Sequence, residues 1–386
     1  LNQNFTSATD VYNVAVGYNA GAAVTTGVQN TLIGGLAGDA LTDADSNVAV
    51  GYQTLSANTK GGRAVAIGQF ALAAQNLTTA GNVSYNTAVG YQAGSGITSG
   101  VQNTLLGALA GDALTDADFN VALGYLALTA DTLGSRSVAI GYGALQSQNF
   151  TTATNSHNTA VGYKAGEAIT TGRLNTVVGG EAGDSISTGG KNTFLGDRAG
   201  QATTTGGGNV VIGSTCETSA VDTSNSIVMG EAVAGVGGNN FTFGNGGLDS
   251  NIQFGATSIS APSDQRYKEE IADATAGLSF IKDLRPVTFK WKKEKNVPSD
   301  HPAYKEGSDT RVMNDYTNHG FIAQEVKTAI DAHSEIKDGF DMWSEQGLDE
   351  AGNSTGGRQR LGPSSLVPML VKAIQELEAR IATLEG

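Results

Sequence analysis

The chain of 386 residues holds one cysteine, Cys216, and no proline before residue 262. A single thiol excludes an internal disulfide framework and a thiolate zinc site, and fits best as a small buried hydrophobe. All six prolines and both tryptophans lie at or beyond Pro262. Charge is also scarce ahead of that point: residues 1–262 carry seven Lys/Arg and 16 Asp/Glu, whereas the remaining 124 carry 16 and 21. Two different materials therefore join near Pro262. The net charge of −14 excludes nucleic acid as a partner, because such binding needs a basic surface to displace counterions. No apolar run approaches the ~20 residues of a membrane helix, so no membrane insertion is expected. The four histidines, His157, His301, His319 and His333, show no paired spacing, and no glycine-rich phosphate loop sits between a strand and a helix. Neither a metal nor a cofactor is expected. The chain opens at Leu1 with neither initiator Met nor signal peptide, as a fragment of a longer protein would.

Glycine is abundant, and one set of glycines keeps time. Each closes a five-residue phrase, as in Asn13-Val-Ala-Val-Gly17, Asn30-Thr-Leu-Ile-Gly34 and Asn47-Val-Ala-Val-Gly51, at a spacing of 17. The count runs to Gly68, restarts after five extra residues at Gly90, restarts after four more at Gly162, and continues to Gly230. Two shorter units follow, ending at Gly244 and Gly255, for fifteen copies in all. A period this short marks a solenoid of stacked coils. Within each phrase side chains alternate, Val14 and Val16 to one face and Ala15 to the other. The glycine suits a corner with positive φ or close backbone approach, and stacked asparagines can hydrogen-bond along the axis. A second small-residue patch, Ala20-Gly21, Ala37-Gly38 and their equivalents, reads as a second short strand in each coil. Inward side chains this small give a thin core, which predicts oligomerisation to bury a further apolar face.

The phrase Asn86-Thr-Ala-Val-Gly-Tyr-Gln-Ala-Gly94 and its variants, over roughly residues 10–255, resemble the head repeats of trimeric autotransporter adhesins. That resemblance implies a left-handed parallel β-roll in a homotrimer. The family's period is shorter, so longer loops are expected to project outward here. Two features overlie the repeat. Gln3-Asn-Phe-Thr, Gln75-Asn-Leu-Thr and Gln148-Asn-Phe-Thr recur at a longer, nearly constant interval, the last two at the insertions that break the short period. They read either as packing loops or as receptor-contacting excursions from a rigid scaffold. The run Asp39, Asp43, Asp45 recurs as Asp112, Asp116, Asp118. Three carboxylates in one short run suit Ca²⁺ chemistry, but the spacing matches no calcium loop and Asp184-Ser-Ile-Ser loses two of the acids. A solvated polar loop is the expectation.

Past the repeat, Pro262-Ser263-Asp264-Gln-Arg266-Tyr-Lys268 leads into Leu284-Arg-Pro-Val-Thr-Phe-Lys-Trp291, Gly320-Phe-Ile-Ala-Gln-Glu-Val326 and a closing segment from Leu366 to Glu385. These four motifs, in this order, resemble the C-terminal intramolecular chaperone of phage tail fibres and tailspikes, the peptidase S74 or endosialidase-type family. The resemblance implies a domain that helps the preceding β-region fold and trimerise, then cuts itself off before the motif's serine, at Pro262–Ser263. Ser263 would be the nucleophile and Lys268 its partner, with Asp264 and Arg266 orienting the junction. A serine hydroxyl needs a base, and a lysine can serve only if burial lowers its pKa from about 10.4. The cut would be made once and in cis, with no external substrate. Pro262 restrains the backbone at that bond.

In the closing segment Val367, Met369/Leu370, Ile374, Leu377, Ile381 and Leu384 form a heptad seam, with the helix starting near 364–369. A second helix is expected over 321–332, a strand at 286–291, and a mobile or hairpin excursion over 335–362. The sequence thus predicts a mainly β protein: a solenoid over 1–258, a junction at 259–262, and a smaller α+β domain over 263–386 ending in a coiled-coil helix. The function expected is a virion tail fibre, assembled in the host cytoplasm. Its partners would be itself in a trimer, other tail proteins, and a host-surface receptor that is a glycan or outer-membrane component. The competing readings are a bacterial trimeric surface adhesin, which would end in a membrane anchor rather than a charged helix, and a glycan-degrading tailspike, which needs paired carboxylates in a cleft.

Overall fold

In a computed structural model of the chain, the three residues ahead of each recurring glycine up to Gly213 form a short strand that the glycine ends. Strands run from Val14–Val16 and Thr31–Ile33 through to Ile227–Glu231 and Asn240–Asn245. Each pairs in parallel and in register with the next, so Ala15, Leu32, Ala49 and Ala66 fall in one column. The sheet has 15 strands, all but the last pairing in parallel, which makes 14 stacked coils. The glycine corner explains itself at Gly107: φ is +138°, and a Cβ there would lie 2.6 Å from the carbonyl oxygen of Gly124. Only a residue without a side chain lets successive coils approach to strand spacing at this corner. The structure describes residues 10–79, 81–256, 258–260, 263, 265–299, 303–337, 340–345 and 359–385.

The middle residue of each strand points inward. Leu32, Ala49, Leu105, Ala122, Val177, Phe194 and Val228 are fully buried and belong to one continuous core. The flanking residues point out. Cys216 is a free thiol within the same core.

The asparagines that open phrases between Asn30 and Asn209 are buried and tie successive coils together. Asn103 accepts the backbone N–H of Asn120 on its Oδ1 at 2.9 Å and donates its Nδ2 to the Ala117 carbonyl at 2.7 Å. Asn30, Asn47, Asn175 and Asn192 do the same. Hydrogen bonding along the axis is therefore real, and it runs from side chain to backbone more than from amide to amide. It satisfies backbone groups that a corner would otherwise bury unpaired.

The small-residue patch after each glycine, expected as a second strand, is a run of turns. Alternate residues there are left-handed: Leu36 and Gly38 at φ 58° and 57°, Gln53 and Leu55 at 55° and 50°. Such alternation curls the chain too tightly for a strand. The turns still bond coil to coil, as in Gly21 N to Ala37 O at 2.9 Å and Gly38 N to Thr54 O at 2.8 Å.

The two insertions turn inward as well. The phrase that should open with Asn has Ala64 in one coil and Ser137 in another. In each case the glutamine of the inserted motif fills the gap. Gln75 Oε1 accepts from Asn86 Nδ2 at 2.8 Å, and Gln148 Oε1 accepts from Asn158 Nδ2 at 2.8 Å. Gln75 and Gln148 are fully buried, with Leu77 and Phe150 nearly so. Of the two readings of these motifs, the packing loop is the one this geometry supports. The first copy, Gln3-Asn-Phe-Thr, lies outside the described residues.

The fifteenth copy does not form a coil. Asn245-Gly246-Gly247 turns the chain back, and Leu248–Gln253 pairs antiparallel to Asn240–Asn245. Asn-Gly is a strong hairpin signal, and it outweighs the weak glycine phrase at Phe254-Gly255.

Contacts divide the chain into two compact units, Leu1–Ser263 and Asp264–Gly386. The second is α+β. Helix α1 (Leu278–Asp283), α2 (Ala323–Ala332) and α3 (Leu366–Glu385) share a core of Phe280, Val326, Ile330, Met342 and Leu366. Val287–Phe289 pairs antiparallel with Asn318–Gly320. The excursion expected over 335–362 contains a second antiparallel pair, Trp343–Glu345 with Gln359–Leu361. Pro363 opens a 3₁₀ turn that runs into α3, and Pro368 falls in the first turn, where its missing N–H costs nothing. The N–H of Leu278, at the start of α1, donates to Glu376 on α3 at 2.9 Å.

Candidate functional site

Three places bear on function: the junction, the outward faces of the solenoid, and the seam of α3. At the junction Ser263 is exposed at the end of the first unit. In the second unit Gln265–Tyr267 form a 3₁₀ turn closed by the Lys268 N–H on the Gln265 carbonyl at 3.0 Å. Arg266 and Lys268 are exposed on that turn. Pro262 and Asp264 lie outside the described residues. Among the described residues Lys268 does not show the burial that a Ser–Lys pair needs, and the pair stands on sequence spacing.

The motifs further on are brought together. Val287–Phe289, from the Leu284–Trp291 motif, pairs with Asn318–Gly320, which leads into the Gly320–Val326 motif. Arg285 grips Glu325 with a two-pronged ion pair, one prong Nε to Oε2 at 3.0 Å and the other Nη2 to Oε1. Phe289 and Trp291 meet edge to face at 5.5 Å beside a cavity of about 370 Å³ that Phe321 and Ile322 also line. Behind this, His333 on the end of α2 lies 2.8 Å from the Asp283 carboxylate and 3.2 Å from Glu335. The Asp283 hydrogen bond holds its pKa above the usual imidazole value.

The outward faces were not assigned from sequence. The residue before the recurring glycine in each parallel strand forms a column of 14 apolar side chains from Val16 through Ile67, Leu106, Leu123 and Leu195 to Phe243. None is buried, and Val16, Leu106 and Leu195 are 57%, 45% and 47% exposed. Beside it runs a broken column of tyrosines. Tyr125, Tyr142 and Tyr163 stack with ring centroids 5.7 and 5.3 Å apart. A sequence signal existed: reading the repeat in register by columns, rather than along each phrase, shows an outward position that is never polar. In α3 the expected seam is equally bare, with Val367, Leu370, Ile374, Leu377, Ile381 and Leu384 all exposed.

The aspartates of the acidic runs are used separately. Asp45 accepts the Val28 N–H at 2.8 Å, Asp118 the Val101 N–H at 2.7 Å, and Asp116 the Ser99 hydroxyl at 2.7 Å. Each thus ties its coil to the one before. Among the described residues no group of three or more acidic, His or Cys side chains gathers to hold a metal. None of the described helices is long and apolar enough to cross a membrane.

Residues 263–334 match the family model of the chaperone of endosialidase, peptidase S74. No curated protein and no solved structure matches the chain. The match covers the junction motif and the two motifs that the strand pair and Arg285–Glu325 bring together, and α3 lies beyond it. What fold and match define is a repetitive β-segment with a folding domain behind it. A solenoid of 14 coils followed by a chaperone-of-endosialidase domain fits a tail fibre or tailspike that carries its chaperone at the C-terminal side.

Proposed function

We propose that the chain is a host-attachment segment of a virion tail fibre, a homotrimer whose second domain drives folding and trimerisation and then releases itself by cutting Pro262–Ser263. The observation that carries this is the pair of exposed apolar seams. A lone chain leaves the outward column of the solenoid and the heptad seam of α3 in water. Contiguous apolar surface of this extent marks an interface, and a threefold association buries both at once. The chaperone match supports the assignment of the folding role to residues 263 onward. In the cut, Ser263 Oγ attacks the Pro262 carbonyl carbon and its proton passes to the Lys268 amine. The amide nitrogen of residue 263 takes a proton as the C–N bond breaks, and water then hydrolyses the ester. Trimerisation would supply the burial that Lys268 lacks in the single chain, so that cleavage waits for assembly.

The test is a denaturing gel with light scattering. Ser263→Ala should give a native trimer whose chain runs at 39.4 kDa, while the wild type yields a shorter solenoid band and a released fragment. A wild-type chain that stays whole after folding overturns the cleavage, and a monomeric native mass overturns the trimer.

A further inference from the structure

The first insertion leaves a cavity of about 220 Å³ on a loop corner of the solenoid, lined by Gln29, Asp43, Asp45, Ser46, Lys60 and Arg63 together with Asn82 of the insertion. We propose that this cavity is a binding site for a single neutral sugar ring, a proposal that rests on the host-attachment reading and names the chemistry that reading would use.

The polar groups are placed but not exhausted. Asp45 holds the Val28 N–H and Asp43 the Thr42 hydroxyl at 3.1 Å, each through Oδ1. Their second oxygens and the Lys60 ammonium have no hydrogen-bond or ion-pair partner among the described residues. Arg63 donates to the Tyr85 hydroxyl at 2.7 Å and packs on the Tyr85 ring, which stays 49% exposed just past the cavity wall at Val83.

This mixture selects a ligand class. Lys60 and Arg63 repel a metal cation. Asp43 and Asp45 repel a carboxylate, sulfate or phosphate, as does the excess of acid over the solenoid as a whole. A neutral polyol suits both signs at once, since each hydroxyl donates one hydrogen bond and accepts others. Amides from Gln29 and Asn82 and an exposed tyrosine face complete a set of groups that sugars engage. The volume admits one ring rather than an extended chain.

The chain carries its own comparison. The same corner is built again four coils and one insertion further on, with Asp116, Asp118 and Arg136 standing for Asp43, Asp45 and Arg63. There Phe119 replaces Ser46 and Leu133 replaces Lys60. Arg136 packs on the Phe119 ring at 5.5 Å, and Gly134–Ser135 pairs with Thr154–Asn155 of the second insertion. Two copies of one scaffold thus differ in the cavity wall, most in bulk and charge at residues 46 and 60, where one copy is small and charged and the other bulky and apolar, and also at Gly62 and Gly81, which become Ser135 and Thr154.

Saturation-transfer NMR on the full chain with the methyl pyranosides of glucose, galactose, mannose and N-acetylglucosamine tests the site. At least one should receive saturation from the wild type, and the double variant Ser46→Phe, Lys60→Leu, which brings in the two bulky apolar residues of the second corner, should reduce that signal at least fivefold with native mass and circular dichroism unchanged. If the double variant misfolds, Lys60→Leu alone should still reduce it. Absence of transfer to all four sugars from a chain that attaches to host cells overturns the site and leaves attachment standing, and undiminished transfer in the folded variants overturns it too. A chain that binds a sugar through these residues but never attaches to cells refutes the attachment reading instead.

Discussion

Replacing Asn103 by alanine tests the claim that the buried asparagines hold the coils together. The substitution removes the acceptor of the Asn120 N–H and the donor to the Ala117 carbonyl, at 2.9 and 2.7 Å. Both backbone groups lie in the wall between buried Asn120 and Ala117, both 0% exposed. Leaving a buried group unpaired costs about 1–3 kcal/mol, so the pair costs about 2–6 kcal/mol, with alanine's missing volume adding to it. In a stack where each coil contacts its neighbours only, the loss is felt locally before it is felt globally. Amide hydrogen exchange reads it directly. The Asn120 amide and those of the adjoining strands should lose protection by about 30-fold or more, since about 1.4 kcal/mol is a factor of ten. Gln102→Ala, one residue away with an exposed side chain, should change protection by less than about twofold. A loss under about 1 kcal/mol at Asn103, or an equal loss at Gln102, would refute the reasoning and make the asparagines passengers of the strand pairing.

Three further outcomes follow from the same geometry. Among the described residues Gln75 Nε2 is buried without a partner, whereas Gln148 Nε2 in the equivalent place donates to Ser137 Oγ at 2.9 Å and Asp131 at 2.5 Å; Ala64→Ser, copying Ser137, should therefore stabilise the solenoid by about 0.5–1.5 kcal/mol in thermal unfolding. Gly107→Ala sets a Cβ against a backbone oxygen and should prevent soluble expression, whereas Gly81→Ala, at φ +79° with none of the described residues within 4 Å, should cost only about 1–2 kcal/mol. Protonated His333 is favoured by folding because of Asp283, so its contribution is complete below its ordinary pKa near 6.5 and is lost as pH rises through the higher folded value. Urea midpoints followed by tryptophan fluorescence, which reads the second unit because it holds Trp291 and Trp343, should fall across that window, and His333→Gln should flatten the fall.

How far the fold could be read from the residues depended on whether the local signal was also the deciding one. The phrase ending in glycine carried period, strand and corner together, because only glycine admits the close approach seen at Gly107. Alternation in Asn13-Val-Ala-Val-Gly17 separated two faces, but the inward one became plain only with Leu32, Phe194 and Val228 stacked in the core. The turns after the glycine were missed because leucine at Leu36, Leu55 and Leu109 takes a left-handed conformation that its propensity disfavours and stacking imposes. The glutamines of the insertions were legible only as a broken period: that they repair the gaps at Ala64 and Ser137 requires knowing which residues face in. At the junction the Ser263–Lys268 spacing is a matter of motif, and the described residues around that lysine leave it exposed. The cavity at Lys60 joins residues from three coils and an insertion, which no linear pattern gathers.

Because coil after coil bonds to the next through the same offset in sequence, Val14 to Thr31, Thr31 to Val48 and Thr176 to Thr193, the solenoid is also a ruler. Each coil adds about 4.8 Å, set by backbone spacing and indifferent to side-chain identity. Length can therefore change only in whole coils. Gaining or losing one complete repeat slides one column onto its equivalent, while slipping one strand by a single residue against its neighbour would turn the inward row of Ala88, Leu105 and Ala122 to face water; the insertions avoid this by lengthening the loop and leaving the strand pairing in register. The longer near-repeat, four coils plus an insertion that carries its own plug, shows how such a rod can lengthen by copying itself without altering either end.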